Sequence, residues 1–158
     1  MSRPPTPAPI ANSHSVPALE VIGLSVVYGS GATAVQAVNG VDLAVRPGEI
    51  LALMGPSGSG KTTLLMVMGC LLHASAGTVR VEGRDIDSLD TAELARLRLA
   101  RMGFIFQSYN LFPALTALEN VQLALELKGR DLAEGVELLE RVGLGERLRN
   151  YPKQLSGG

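Results

Sequence analysis

The sequence predicts an α/β fold of the phosphate-loop type, with an antiparallel strand layer ahead of the loop and a helical region behind it. Three observations carry that prediction. Gly55-Pro56-Ser57-Gly58-Ser59-Gly60-Lys61-Thr62 fits the pattern G-x-x-x-x-G-K-[ST]. A continuous apolar run, Ile50–Met54, leads into it, and an apolar helical stretch leads out of it. Alternating apolar segments precede both.

The elements follow in chain order. Met1–Pro17 holds five prolines among small polar residues, which is too little apolar area to offset ordering entropy, so residues 1–17 read as a disordered leader. Order is expected from about Leu19, making 18–158 one folded region. Ile22, Leu24, Val26 and Tyr28 alternate as a first strand, with Val21 and Val27 on the other face. Val41, Leu43 and Val45 alternate as a second. Arg46-Pro47-Gly48-Glu49 supplies a turn, and Ile50–Met54 suits a third strand buried on both faces, as in a parallel sheet.

After the loop a helix is expected through about Leu72, then a short strand over Thr78–Glu82. Asp90 with Glu93 forms a D-x-x-E start for a helix to about Arg101. Gly103–Phe106 reads as a short strand ending at Gln107. Thr116 with Glu119 is a second capping box, opening a helix to about Lys128, and helical periodicity returns over Asp131–Val142. The region from about 108 to 158 is thus expected to be a helical subdomain.

Composition narrows the classes. The chain has 158 residues, a net charge of −1 and 18% charged residues, ordinary for one globular domain and without electrostatic pull toward nucleic acid. The single cysteine, Cys70, leaves no internal disulfide and reads as a small buried hydrophobe in a reducing compartment. The longest apolar stretch, Leu64–Leu72, has nine residues, against the roughly 20 needed to span a bilayer. No apolar signal segment follows Arg3. Membrane association is therefore expected only through a partner. His14 and His73 lack metal-ligand spacing.

The loop's residue types are those its chemistry requires. Glycines let successive backbone N–H groups converge into an anion nest, and the following helix adds its positive end. Lys61 can reach the β- and γ-phosphates, and the Thr62 hydroxyl can ligate Mg²⁺ while the metal keeps several waters. Thr63, next in the helix's first turn, is counted with them. The pattern implies a nucleoside triphosphate with Mg²⁺.

Three further features choose among phosphate-loop families. Tyr28 ends the first strand, Gln107 ends Gly103-Phe104-Ile105-Phe106, and Leu155-Ser156-Gly157-Gly158 follows the helical region and Tyr151-Pro152. Together these resemble the ATP-binding-cassette (ABC) ATPases, over about Leu19 to Gly158. The resemblance implies ATP as the nucleotide, with Tyr28 stacked on adenine and Gln107 touching Mg²⁺ and the attacking water. It gives Ser156, Gly157 and Gly158 the task of completing the opposite subunit's site. Lys61 and Gln107 are then the catalytic candidates, Thr62 and Gln107 the metal candidates. Each role is physically reasonable: an aromatic face suits a purine, and a glutamine amide orients water without a charge change. Alone, Tyr28 would read as a strand-end core aromatic; its place before the loop points to stacking.

The segments Gly103–Gln107 and Asn110–Val121 look like the lipoprotein-releasing and macrolide-exporting branch. Glu119 occupies a position which in that family lies near the membrane subunit, and its place in a capping box explains it equally well. The implied protein is an exporter's motor subunit, cytoplasmic and peripheral on the inner face of the cell membrane. Its implied partners are membrane-spanning permease subunits and a second ATPase copy, with no nucleic acid. The family's Walker B aspartate, water-polarising glutamate and switch histidine lie beyond a signature that is cut short here. The chain is therefore expected to be an N-terminal fragment, catalytically incomplete, with an incomplete core sheet and exposed edges. Two other readings stand: a non-transport cassette ATPase acting on nucleic acid or ribosomes, and a nucleotide-binding module without catalysis.

Overall fold

The computed structural model describes residues 16–106 and 108–155. They fall into two compact units, the first ending at Leu94 and the second beginning at Ala95.

The first unit is built on a four-stranded sheet in the order β2-β1-β3-β4, with β1 Leu19–Tyr28, β2 Val35–Val45, β3 Ala76–Val81 and β4 Arg84–Asp85. Every pairing is antiparallel, which is the expected strand layer. β-Branched residues dominate the two longest strands, and such side chains pack well on a pleated surface. The buried face of β1 is Val21, Leu24 and Val26, and Val38, Val79 and Val81 join them from β2 and β3.

That set corrects the expected alternation. Alternation groups Ile22 with Leu24 and Val26, yet Ile22 is exposed and Val21 is buried. The cause is a bulge at Gly23, where φ is +57° and the register slips against both neighbouring strands. Asp42 Oδ1 accepts the Gly23 N–H at 2.7 Å, and one extra residue shifts the inward phase by one. The bulge also fixes β3. A Cβ on Gly77 would lie 2.5 Å from the Gly23 carbonyl oxygen, so only glycine lets the strands approach there.

Helix α1, Lys61–Met68, packs against β1 and β2 through Leu64, Val67 and Met68. Burying one such side chain is worth about 1.5–3 kcal/mol, so three suffice to hold this two-turn helix. It ends earlier than the expected Leu72. Gly69 closes it, and the N–H groups of Leu71 and Leu72 turn back to the Met66 carbonyl. Cys70 is buried, as its type suggested.

Two expected strands are not formed. Ile50–Met54 pairs with nothing among the described residues, and Ile50 and Met54 are 97% and 89% exposed. Gly103–Phe106 is likewise unpaired, with Ile105 fully exposed. Apolar content marks a segment that suits a buried strand, but a strand exists only where a neighbour completes its hydrogen bonds. The Phe104 and Phe106 rings instead stack on each other at 5.7 Å, two residues apart along the chain.

Helix α2, Thr91–Arg101, crosses from the first unit into the second. Its start is the predicted capping box: Asp90 Oδ1 accepts from Glu93 N at 2.8 Å, and Glu93 Oε2 accepts from Asp90 N at 3.0 Å. In the second unit α3, Ala117–Leu127, packs on α4, Glu134–Arg141, with Leu125 and Leu139 buried. The α4 helix is shorter than expected because Asp131–Ala133 forms a turn, its Asp131 carboxylate accepting from Ala133 N. The N–H groups of Ala117 and Leu118 reach the carbonyls of Asn150 and Leu148, so the chain after α4 closes onto the start of α3. Asn120 ties the preceding segment down, exchanging hydrogen bonds with both backbone groups of Phe112.

Thr116 and Glu119 form the second predicted capping box, the carboxylate accepting from the Thr116 N–H and hydroxyl, each at 2.7 Å. The backbone bond first, and the hydroxyl bond second, hold the Glu119 carboxyl below its usual 4.5. A folded value lowered below the unfolded one gives stability above the ordinary carboxylate range, lost as pH falls through the folded value. Helicity measured by circular dichroism should therefore favour the wild type over Glu119→Gln at neutral pH. The difference should vanish in acid, once pH has dropped below 4.5 and through the lowered folded value. A difference independent of pH would remove the ionised cap from the account.

Candidate functional site

The loop Gly55–Gly60 leaves the exposed Ile50–Met54 segment and enters α1 directly. Gly60 is the N-cap residue, left-handed at φ +84°, and no side chain caps the helix. The first intrahelical bond runs from Leu64 N to Gly60 O at 2.8 Å, so the N–H groups of Lys61, Thr62 and Thr63 lie ahead of it as the helix's unclaimed donors. A helix start of this kind attracts anions through those donors and the positive end of its dipole.

The backbone of β2 runs close behind the loop. A Cβ on Gly60 would sit 2.1 Å from the Ala37 carbonyl oxygen and 3.4 Å from a Val38 methyl. The loop thus lies against the first half of β2, Val35–Asn39, which the alternation over Val41, Leu43 and Val45 does not reach. Val35 and Val38 were the available β-forming signal there. Between this strand and the loop lies a cleft of about 470 Å³, lined by Ala37, Val38, Leu53, Gly55, Lys61 and Leu64 among others.

Lys61 is engaged by the loop itself. Its ammonium donates to Gly55 O at 2.8 Å, Pro56 O at 2.6 Å and Ser59 Oγ at 3.2 Å. The cation is therefore held at the loop by neutral acceptors, which a phosphate oxygen outcompetes because ionised acceptors make the stronger bonds. Thr62, one residue on, is exposed.

Tyr28 closes β1, paired with Val35 of β2. The residue is 43% exposed, and its hydroxyl donates to Thr63 Oγ1 at 3.3 Å. Strand end, phosphate loop and first helical turn therefore meet in one unit, although Tyr28 and Thr63 are far apart in sequence. Nothing in the spacing announced that bond. Gln107, Ser156, Gly157 and Gly158 lie outside the described residues.

The residues present fit a nucleoside triphosphate and its metal. The glycine loop leaves no room for a side chain at Gly60, the helix start offers free donors, and a half-exposed aromatic stands beside them. Among the described residues no three His, Cys, Asp or Glu side chains cluster to hold a metal alone. A hydroxyl such as that of Thr62, with water and phosphate oxygens, is the set Mg²⁺ prefers. Also among the described residues, no helix is long and apolar enough to cross a membrane.

Comparison with known proteins gives the family. The family model described as "ABC transporter" matches residues 38–158. A macrolide export ATP-binding/permease protein, MacB, of Marinobacter nauticus is 49% identical over 90% of this chain, which spans 23% of that relative. The lipoprotein-releasing system ATP-binding protein LolD of Shewanella frigidimarina is 46% identical over 89% of this chain, here 60% of the relative. Among solved structures, the ATP-binding cassette MJ0796, in a dimeric post-hydrolysis state bound to ADP and Pi, superposes with a TM-score of 0.80. It is 38% identical, the match covering 88% of this chain and 63% of that one.

Proposed function

Since the chain belongs to the ABC transporter family, we propose that it is the ATP-binding portion of a motor subunit that couples ATP binding and hydrolysis to export. The observation that carries this reading is the loop with Lys61 at its rim and Tyr28 against its helix. In that reading the N–H groups of the loop and helix start hold the phosphates, and Lys61 exchanges loop carbonyls for phosphate oxygens. Tyr28 offers a ring face to adenine.

Thr62 and Gln107 hold Mg²⁺, which supplies charge neutralisation at the phosphates. Gln107 orients water. Ser156, Gly157 and Gly158 serve the site of a second copy, so two chains enclose two nucleotides. The similarity to MacB and LolD supports the macrolide- and lipoprotein-exporter branch, with membrane-spanning permease partners and a place on the inner face of the cell membrane. The unpaired Ile50–Met54 segment supports a further part of the same reading: its neighbouring strands come from outside the described span. Hydrolysis then belongs to the longer protein.

The test is Tyr28→Ala. Base–aromatic stacking is worth about 1–3 kcal/mol, so the dissociation constant for Mg·ATP should rise roughly 5- to 150-fold by calorimetric titration. Tyr28→Trp should keep most of the affinity. Equal binding by the Ala variant and the wild type would place adenine elsewhere.

A further inference from the structure

We propose that Ser75 is a positioning residue for the nucleobase: its hydroxyl stands in for a missing strand rung at Val27 and so fixes the peptide that carries Tyr28. This rests on the reading of Tyr28 as the stacking residue, and it assigns the setting of that ring to a side chain outside the phosphate loop.

The geometry has three parts. Pairing of β1 with β3 ends at Ser25 and Ala76, where β3 begins, although the Ser75 N–H still reaches the Ser25 carbonyl at 2.9 Å. Val27, two residues on, turns its N–H and carbonyl to the same side as Ser25, and no β3 residue pairs with it there. The Ser75 side chain fills the place. Its oxygen accepts the Val27 N–H at 2.9 Å, and its hydroxyl donates to the Val27 carbonyl at 3.5 Å. One hydroxyl can do both, since it carries a donor and two acceptor lone pairs. On the other edge of β1 the ladder to β2 slips at the same point: Val26 pairs with Val38 and Val27 with Gln36, which skips Ala37. Tyr28 then pairs with Val35, and the chain turns away at Gly29, where φ is +76°. The ring is thus borne by the last residue of a strand whose ladder is irregular on both sides just before it. Ser75 is the clasp on one of those sides.

The consequence is a specific pattern of loss. Ser75 is exposed, so Ser75→Ala leaves no buried cavity, and it leaves every residue of the loop and of α1 in place. Without the clasp Tyr28 should spend time out of position, and Mg·ATP should bind about two- to tenfold more weakly, the range one ordinary hydrogen bond sets. Mg·tripolyphosphate, which has no base, should bind Ser75→Ala and wild type alike. Ser75→Thr keeps the hydroxyl and should keep ATP affinity. Once the ring is gone nothing is left to position, so adding Ser75→Ala to Tyr28→Ala should cost no further ATP affinity. Exchange of the Val27 amide should quicken in Ser75→Ala and not in Ser75→Thr.

The experiment is calorimetric titration of the whole chain and these variants with both ligands, with hydrogen exchange followed at the Val27 amide. Unchanged Val27 exchange or unchanged ATP affinity in Ser75→Ala would overturn the proposal. So would equal weakening of ATP and tripolyphosphate, or a further loss in the double variant, since either makes Ser75 a support of the whole unit. If Tyr28→Ala itself leaves ATP binding unchanged, it is the adenine assignment that fails, and the role of Ser75 toward the base goes with it.

Discussion

Lys61→Ala should weaken Mg·ATP binding by one to two orders of magnitude while the fold is kept. The gross value of each charge-assisted contact is about 1.5–3 kcal/mol, or roughly 10- to 150-fold. The net loss is smaller than several such contacts together, because the ammonium already has three acceptors in the loop and exchanges rather than gains partners. What it gains is the difference between neutral oxygens and anionic ones. Losing the side chain also removes the brace between Gly55, Pro56 and Ser59, so the loop becomes less preorganised. Calorimetric titration beside far-ultraviolet dichroism separates the two consequences. Unchanged affinity in a folded variant would remove the phosphate-loop assignment.

Gly60→Ala should be among the most damaging single methyls in the first unit. The left-handed backbone alone costs a non-glycine residue about 1–2 kcal/mol. The added Cβ would then lie 2.1 Å from the Ala37 carbonyl oxygen, a backbone atom held in β2 that has nowhere cheap to go. Together these predict a loss of about 3 kcal/mol or more in urea unfolding. Gly58→Ala is the control. Its φ is similar, +80°, but nothing lies within 4 Å of its Cβ, so it should cost only the backbone term. Equal losses in the two variants would mean that β2 does not press on the loop in solution.

Both predictions concern a loop that could be read directly from its residue order, and so could much of the local structure. The two capping boxes, Asp90 with Glu93 and Thr116 with Glu119, form as read because every group in them lies within four residues. The boundaries of α1 and α4 were less legible. They depend on where Gly69 and the Asp131 turn capture carbonyls and N–H groups, and apolar spacing is silent about that.

The apolar runs Ile50–Met54 and Phe104–Phe106 show the opposite limit. Their composition suits buried strands, but a neighbouring strand decides whether one forms, and none pairs with either among the described residues. The inward set of β1 departs from simple alternation for a related reason. Period-two alternation counts residues, whereas the Gly23 bulge inserts one that the count cannot see.

By itself, then, the sequence determined what short-range chemistry determines: the glycine loop with its lysine, the helix starts, the strand-forming segments and the family that their order resembles. Tertiary structure alone decided which residues meet across the chain. It set the Ala37 carbonyl behind Gly60, the Gly23 bulge against Gly77, and the Tyr28 hydroxyl on Thr63. The physical reason is that each of these is a contact between segments brought together by burying β1, β2, β3 and α1 on one another. Burial is governed by area and shape rather than by spacing along the chain.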